Sequence, residues 1–305
     1  MANRDLSLPS ARFTTLEVAE RRGSGEGYLR STLHRLISTR TALVGLVYLA
    51  ILIIAALSAG MLSPYNPYQT RTSVALRPPS TNHLLGTDEL GRDILTRILY
   101  GARLSLRVGL IAVGIAAAVG TILGLCAGYW GGWAETVIMR CIDVMLAFPG
   151  ILLAIAITTV LGPSLTNVMI AVGIAYIPAY VRLVRGATLS VRAREYVEGA
   201  RAIGCADSRI VFRYILPNIL APVIVLSTLG VAGAILTAAG LSFLGLGAQS
   251  PTAEWGAMLT TGRTYLRQAW WVATFPGVAI MLTVLAINMI GDALRDALDP
   301  RLTPY

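Results

Sequence analysis

Few residues in this chain are equipped for chemistry. It has 25 basic and 16 acidic residues, two His and three Cys, and every basic residue is Arg. A P-loop needs the Lys of GxxxxGK[ST] to reach the β- and γ-phosphates, and Schiff-base chemistry needs the lysine amine. With no Lys the chain carries neither, so any ATP it uses is held and hydrolysed by another subunit. His34 and His83 are isolated, without a motif such as HExxH, and offer no local metal site. Cys126 and Cys141 fall among apolar residues and Cys205 in a basic segment, with no CxxC pair; they read as small packed residues rather than a disulfide framework.

What remains are charged clusters suited to binding. Asp88, Arg92 and Asp93 stand together, Glu254 precedes Trp255, and residues 186–218 hold Glu195, Glu198, Arg201 and Asp207 among small residues. Residues 195–203 suit a helix, and Gly204 can adopt the left-handed conformation that ends it. Asp207 or Ser208 can cap a second short helix. Gly199, Ala200 and Ala202 would leave one side of the first helix flat, open to close approach by another protein. Glu198 is then either a solvated helix charge or the acceptor of a charge-assisted hydrogen bond.

The elements that must position these groups are apolar. Hydrophobic residues make up 55% of the chain and charged ones 13%, with mean hydropathy +0.67, against about 25% charged in a soluble domain. A spanning helix needs about 20 mostly apolar residues. The charge-poor runs supply six: 41–62, 104–128, 135–161, 168–185, 219–241 and 271–291. The run over 144–181 is too long for one helix, and residues 162–167 read as its turn. An even number of spans puts both termini on one side. Most of the arginines fall on that side, which the positive-inside rule assigns to the cytoplasm. The net charge of +9 is accordingly ascribed to cytoplasmic loops, not to nucleic-acid binding. Residues 1–40 read as a polar cytoplasmic tail rather than a cleaved signal peptide, and 292–305 as a second such tail. Trp270 and Trp271 open the last span, where amphipathic rings favour the interface.

Within the spans, Gly120, Gly124 and Gly128 recur at spacing four and predict a close helix–helix seam. Pro149, Pro178 and Pro276 are candidate kinks. Arg140 and Asp143, at spacing three, can pair, as can Arg295 with Asp292, Asp296 and Asp299. No charge lies in the middle third of a span. A proton- or ion-coupled carrier generally keeps ionisable groups at depth, and an enzyme needs an acid–base cluster. A gradient-driven secondary transporter stays as the alternative of a different class, because sodium can be bound by carbonyls alone.

The 186–218 segment resembles the EAA loop of ABC-importer permeases, whose pattern is Glu-Ala-Ala, three residues, Gly, nine residues, Ile, one residue, Leu-Pro. Glu198, Ala200, Gly204, Leu216 and Pro217 match in register; Gly199 replaces the first Ala and Tyr214 the Ile. Three further segments, 85–93 (LGTDELGRD), 241–249 (LSFLGLGAQ) and 291–300 (GDALRDALDP), resemble the C component of dipeptide and oligopeptide importers within that family.

The resemblance implies an all-α integral membrane protein of six transmembrane helices with the type I ABC importer permease fold. It implies an extracytoplasmic loop at 63–103 and a core at 104–291, which includes the coupling loop 186–218 and an outer segment 242–270. The helix around Glu198 and Gly204 would sit in a cleft of a separate ATPase subunit. Asp88, Arg92, Asp93, Glu254 and Trp255 would be outer-segment contacts, the last two as exposed candidates. The chain would bind no cofactor itself, with ATP and Mg on partner subunits. The partners would be a second, homologous permease, two ATPase subunits, an extracytoplasmic binding protein and the lipid of a bacterial inner membrane. Short peptides are the expected cargo, with glutathione or nickel complexes as alternatives.

Overall fold

The computed structural model describes residues 39–298; the expected N-terminal tail up to residue 38, and Asp299 with the rest of the C-terminal tail, lie outside them. Among the described residues there is no strand beyond a single bridge between Thr87 and Asp93. The helices of eight residues or more are α1 (Arg40–Leu57), α2 (Ile94–Trp130), α3 (Gly132–Leu146), α4 (Gly150–Leu161), α5 (Leu165–Arg192), α6 (Glu195–Ala202), α7 (Leu216–Phe243), α8 (Trp255–Gly262) and α9 (Trp271–Leu298).

Each boundary has a local cause. Asp93 caps α2, its carboxylate accepting the backbone N–H of Thr96, and the helix stops at Gly131, whose φ is +67°. The helix therefore starts ten residues before the predicted span at 104–128. The helix has 37 residues, about 55 Å at 1.5 Å per residue, and outreaches a bilayer core of about 30 Å. The predicted single helix at 135–161 is instead two, α3 and α4, bent by 91°. Pro149 disfavours helical dihedrals at Phe148 and supplies no N–H. Pro178, Pro222 and Pro276 leave α5, α7 and α9 continuous. Pro217 sits at the start of α7, directly after a π-helical stretch, Ile210–Ile215. Among the described residues, five helices are long and apolar enough to span a membrane, counting Asp207–Phe243 as one, and six if the bent pair is a single span.

Packing centres on α2 and α5. Gly120, Gly124 and Gly128 all face α5: a Cβ at Gly124 would stand 2.6 Å from Val184 Cβ, and one at Gly128 2.7 Å from Thr188 Cβ. From the other side, Gly173 of α5 meets Ala112 and Ile115 of α2. Around this seam lie Val108, Ala116, Val172, Tyr180, Val181 and Val184, all buried. α7 seats on α2 at Gly109, against Val231 and Ile235, and α1 meets α9 where Gly45 approaches the Ala286 carbonyl.

Putting Val at Gly124 drives a branched side chain into Val184. The expected cost of such overpacking is about 1–3 kcal/mol, read as a lower apparent melting temperature of the solubilised protein. Gly114→Ala, where nothing lies within 4 Å, should leave it unchanged or slightly raised.

Candidate functional site

The groups singled out by the sequence collect at the two ends of α2. At its head, residues 86–93 form a tight turn in which Gly86 and Gly91 take φ of +80° and +72°. Asp88 Oδ1 accepts the backbone N–H groups of Leu90 (3.0 Å) and Arg92 (2.9 Å). Its Oδ2 takes Arg92 Nε at 2.6 Å and faces Arg97 Nε at 3.5 Å. Arg92 also reaches Glu89 at 2.8 Å, and Asp93 pairs with His83 at 3.0 Å while capping α2. Arg97 donates to the carbonyls of Pro67, Pro251 and Thr252, so it ties the 63–93 loop to the 244–254 loop. Asp88, Arg92, Asp93 and Arg97 are all 5% exposed or less. Burial raises the Glu89 carboxyl above its ordinary value, with the Asp88 charge adding to the shift.

Glu254 and Trp255 belong to the same assembly. Glu254 caps α8, accepting the N–H groups of Gly256 and Ala257 at 2.8 Å each; burial lifts its carboxyl above the usual range, and these bonds pull it back in part. The Trp255 indole donates to the Ile98 carbonyl at 3.0 Å. Both side chains are buried, which corrects the expectation that they are exposed: a helix cap and an indole N–H both need partners inside the fold. Trp270 is exposed, but Trp271 turns inward, its indole donating to the Thr87 carbonyl.

At the foot of α2 lies the 186–218 segment. α6 is two turns long and closes in a Schellman arrangement: Gly204 N–H donates to Arg201 O and Cys205 N–H to Ala200 O, both at 3.0 Å, with Gly204 at φ +80°. Val197 and Ala200 are buried, whereas Glu198, Gly199, Ala202 and Ile203 are exposed. Ala200 thus lies on the packed side, not on the flat one, because residues 197 and 200 share a helix face. The open face instead carries Tyr196, Gly199 and Ile203, the last 81% exposed. Leu216 and Pro217 open α7.

The second short helix is a turn, Asp207–Arg209, that runs into the π-helical stretch. Neither Asp207 nor Ser208 caps it. Asp207 is engaged elsewhere, by the Tyr129 hydroxyl, which donates to its carboxylate at 2.5 Å. The guanidinium carbons of Arg192 and Arg201 lie 5.9 and 5.7 Å from the centroid of the Tyr129 ring. Two expected pairings, Arg140 with Asp143 and Arg295 with Asp292 or Asp296, are not formed among the described residues. Asp143 bonds Arg182 of α5 at 2.9 Å rather than Arg140, and Glu135 bonds Arg185 at 2.7 Å. Arg295 pairs with neither Asp292 nor Asp296 among the described residues; all three are exposed, where ion pairs contribute little.

Sequence reasoning missed Tyr129 and Arg97. The only signal for Arg97 was an arginine four residues after a potential cap; Tyr129, in a Gly-Tyr-Trp helix end, offered none. Among the described residues, no three His, Cys, Asp or Glu are grouped to hold a metal ion.

The family described as binding-protein-dependent transport system inner membrane component matches residues 120–304, and the N-terminal TM domain of oligopeptide transport permease C matches 27–79. A dipeptide transport system permease protein of Alkalihalophilus pseudofirmus is 51% identical over 273 residues, covering 90% of each chain. A glutathione transport system permease protein of Pectobacterium atrosepticum is 48% identical, covering 88% of this chain and 89% of its own. Among solved structures, an inward-facing methionine ABC transporter superposes with TM-score 0.54 at 18% identity, over 68% of this chain and 98% of that one. The last supports the fold alone.

Removing the acceptor shared by the head cluster should be severe. Asp88→Ala removes the carboxylate that both arginines share, leaving buried Arg92 with Glu89 and buried Arg97 with carbonyls alone, and the expected loss is about 3–5 kcal/mol, visible as a large fall in apparent melting temperature. Glu195→Ala, at an exposed position, should shift it within about 0.5 kcal/mol.

Proposed function

Because the chain belongs to the family of binding-protein-dependent transport system inner membrane components, we propose that it is one permease half of an ATP-driven importer for short peptides. The cargo class rests on the similarity to the dipeptide permease and on the match to the oligopeptide permease C domain. Glutathione, a peptide derivative, is the second reading, favoured by the similarity to the glutathione permease.

The observation that carries the mechanism is α6. It is short, closed by a left-handed glycine, and presents Tyr196, Glu198, Gly199 and Ile203 outward. In the proposed machine this face seats in a cleft on a separate ATPase subunit, and Glu198 accepts a charge-assisted hydrogen bond there. A second, homologous permease completes the path. Two ATPase subunits bind ATP and Mg, and an extracytoplasmic protein delivers the cargo. Closure of the ATPase pair would draw α6 inward and rock the spans between inward- and outward-facing states. Both termini and the 186–218 segment face the cytoplasm, following the arginine asymmetry. The 63–93 and 244–270 segments then lie outside, where the buried head cluster shapes the surface offered to the binding protein. Within the membrane, the glycine seam of Gly120, Gly124 and Gly128 keeps α2 and α5 moving as one body.

Energetics separate this reading from a gradient-driven carrier. Peptide uptake should stop when ATP is depleted and persist when an uncoupler collapses the proton gradient with ATP maintained; the reverse pattern would mean a secondary transporter. The α6 assignment has its own check. Gly204→Asp forces a side chain into a left-handed position, at a cost of roughly 1 kcal/mol, and adds a charge beside the docking face. Peptide-stimulated ATP hydrolysis by the assembled complex should fall steeply, and undiminished stimulation would remove Gly204 from the coupling surface.

A further inference from the structure

The docking helix is weakly rooted in its own chain. It buries only Val197 and Ala200, too little apolar area to transmit a pull by packing alone. Its firmest polar connection runs through one residue of another helix. Tyr129, 3% exposed at the foot of α2, donates its hydroxyl proton to Asp207, just beyond Gly204, at 2.5 Å. The guanidinium of Arg201, on α6 itself, lies over the same ring, and so does that of Arg192 at the end of α5. One side chain therefore gathers α2, α5, α6 and the turn that follows it.

The other end of α2 is pinned as firmly. Asp93 caps it, Arg97 holds loop carbonyls from two separate segments, and Trp255 bonds the Ile98 carbonyl. Between them, α2 is an unbroken rod of 37 residues. Tyr129 sits where the docking segment grips that rod, and the head cluster sits where the rod holds the opposite face of the protein.

We infer that Tyr129 is a positioning residue, the joint through which displacement of α6 is passed into α2 and so to the loops at its far end. The inference rests on the reading of α6 as the ATPase-docking helix. The hydroxyl–carboxylate bond keeps the 207 turn moving with α2, while the stacked guanidiniums keep the ring in place without fixing its distance to the turn. Loss of the hydroxyl alone should uncouple the two.

The test uses the complete importer in proteoliposomes with its binding protein, measuring peptide uptake and ATP hydrolysis together. Tyr129→Phe keeps the ring and both guanidinium contacts but loses the bond. Uptake per ATP should fall about tenfold, the scale set by a hydrogen bond to a charged group, while the ATPase subunits still co-purify. Asp207→Ala should fall equally, the double variant no further, and Asp207→Asn, which keeps an acceptor oxygen, should recover most of the ratio. A Tyr129→Phe importer with the wild-type ratio, or a double variant in which the two losses multiply, would overturn the joint. If Tyr129→Phe does not assemble, the Asp207→Asn and Asp207→Ala pair decides alone: equal ratios overturn it. A wild-type complex lacking peptide-stimulated hydrolysis would instead refute the reading of α6, a result distinct from any of these.

Discussion

The backbone-to-backbone approach of α2 and α5 is the contact on which the rest depends. Lipid is as apolar as leucine, so burial supplies little drive between helices, and association must come from close packing. Gly120, Gly124 and Gly128 admit Tyr180, Val184 and Thr188 to positions their own side chains would fill, and Gly173 does the same in the opposite direction. With that pair set, α7 finds its seat against Gly109, and the bent α3–α4 unit is left on the outside, where α3 buries only Ile142.

The charged clusters lie at the two ends of this apolar column; between them the polar contacts are neutral ones such as Tyr180 with Ser227. At the head, the buried guanidiniums of Arg92 and Arg97 share Asp88, Glu89 takes a second nitrogen of Arg92 and loop carbonyls take Arg97, while Arg92 Nη1 and Glu89 Oε2 are left without a partner. Such a group is tolerated inside a protein only when its partners are nearly complete. Its role in this chain is to clamp distant loops onto one helix end. At the foot, the polar contacts are fewer and half-solvated, and the segment they hold presents an open face. That difference in bonding suits the proposed role, in which force is received at the foot and the head keeps its shape.

The division of labour follows from composition as much as from geometry. A chain without lysine cannot cradle nucleotide phosphates by a P-loop, and one without charges at mid-membrane depth lacks the ionisable relay common in carriers. Membership of the binding-protein-dependent permeases gives both facts a single sense. In the proposed importer, energy enters from a separate subunit, and selectivity from another.

The sequence by itself determined the class of the fold, the approximate number and position of the spans, the glycine seam, and the left-handed close of α6 at Gly204. These depend on local properties: run length, residue period and the conformational freedom of one glycine. The tertiary structure decided where those properties compete. The bend at Pro149 could equally have been a kink, because a proline's effect depends on what its neighbours offer the freed carbonyls. Glu254 and Trp255 look like surface residues in the chain and are buried in the fold, because their partners are Gly256, Ala257 and the distant Ile98 carbonyl. Asp143 and Asp207 each had a plausible neighbour in sequence, yet they bond Arg182 and Tyr129. A side chain chooses among partners by distance in three dimensions, and only the packed helices set those distances.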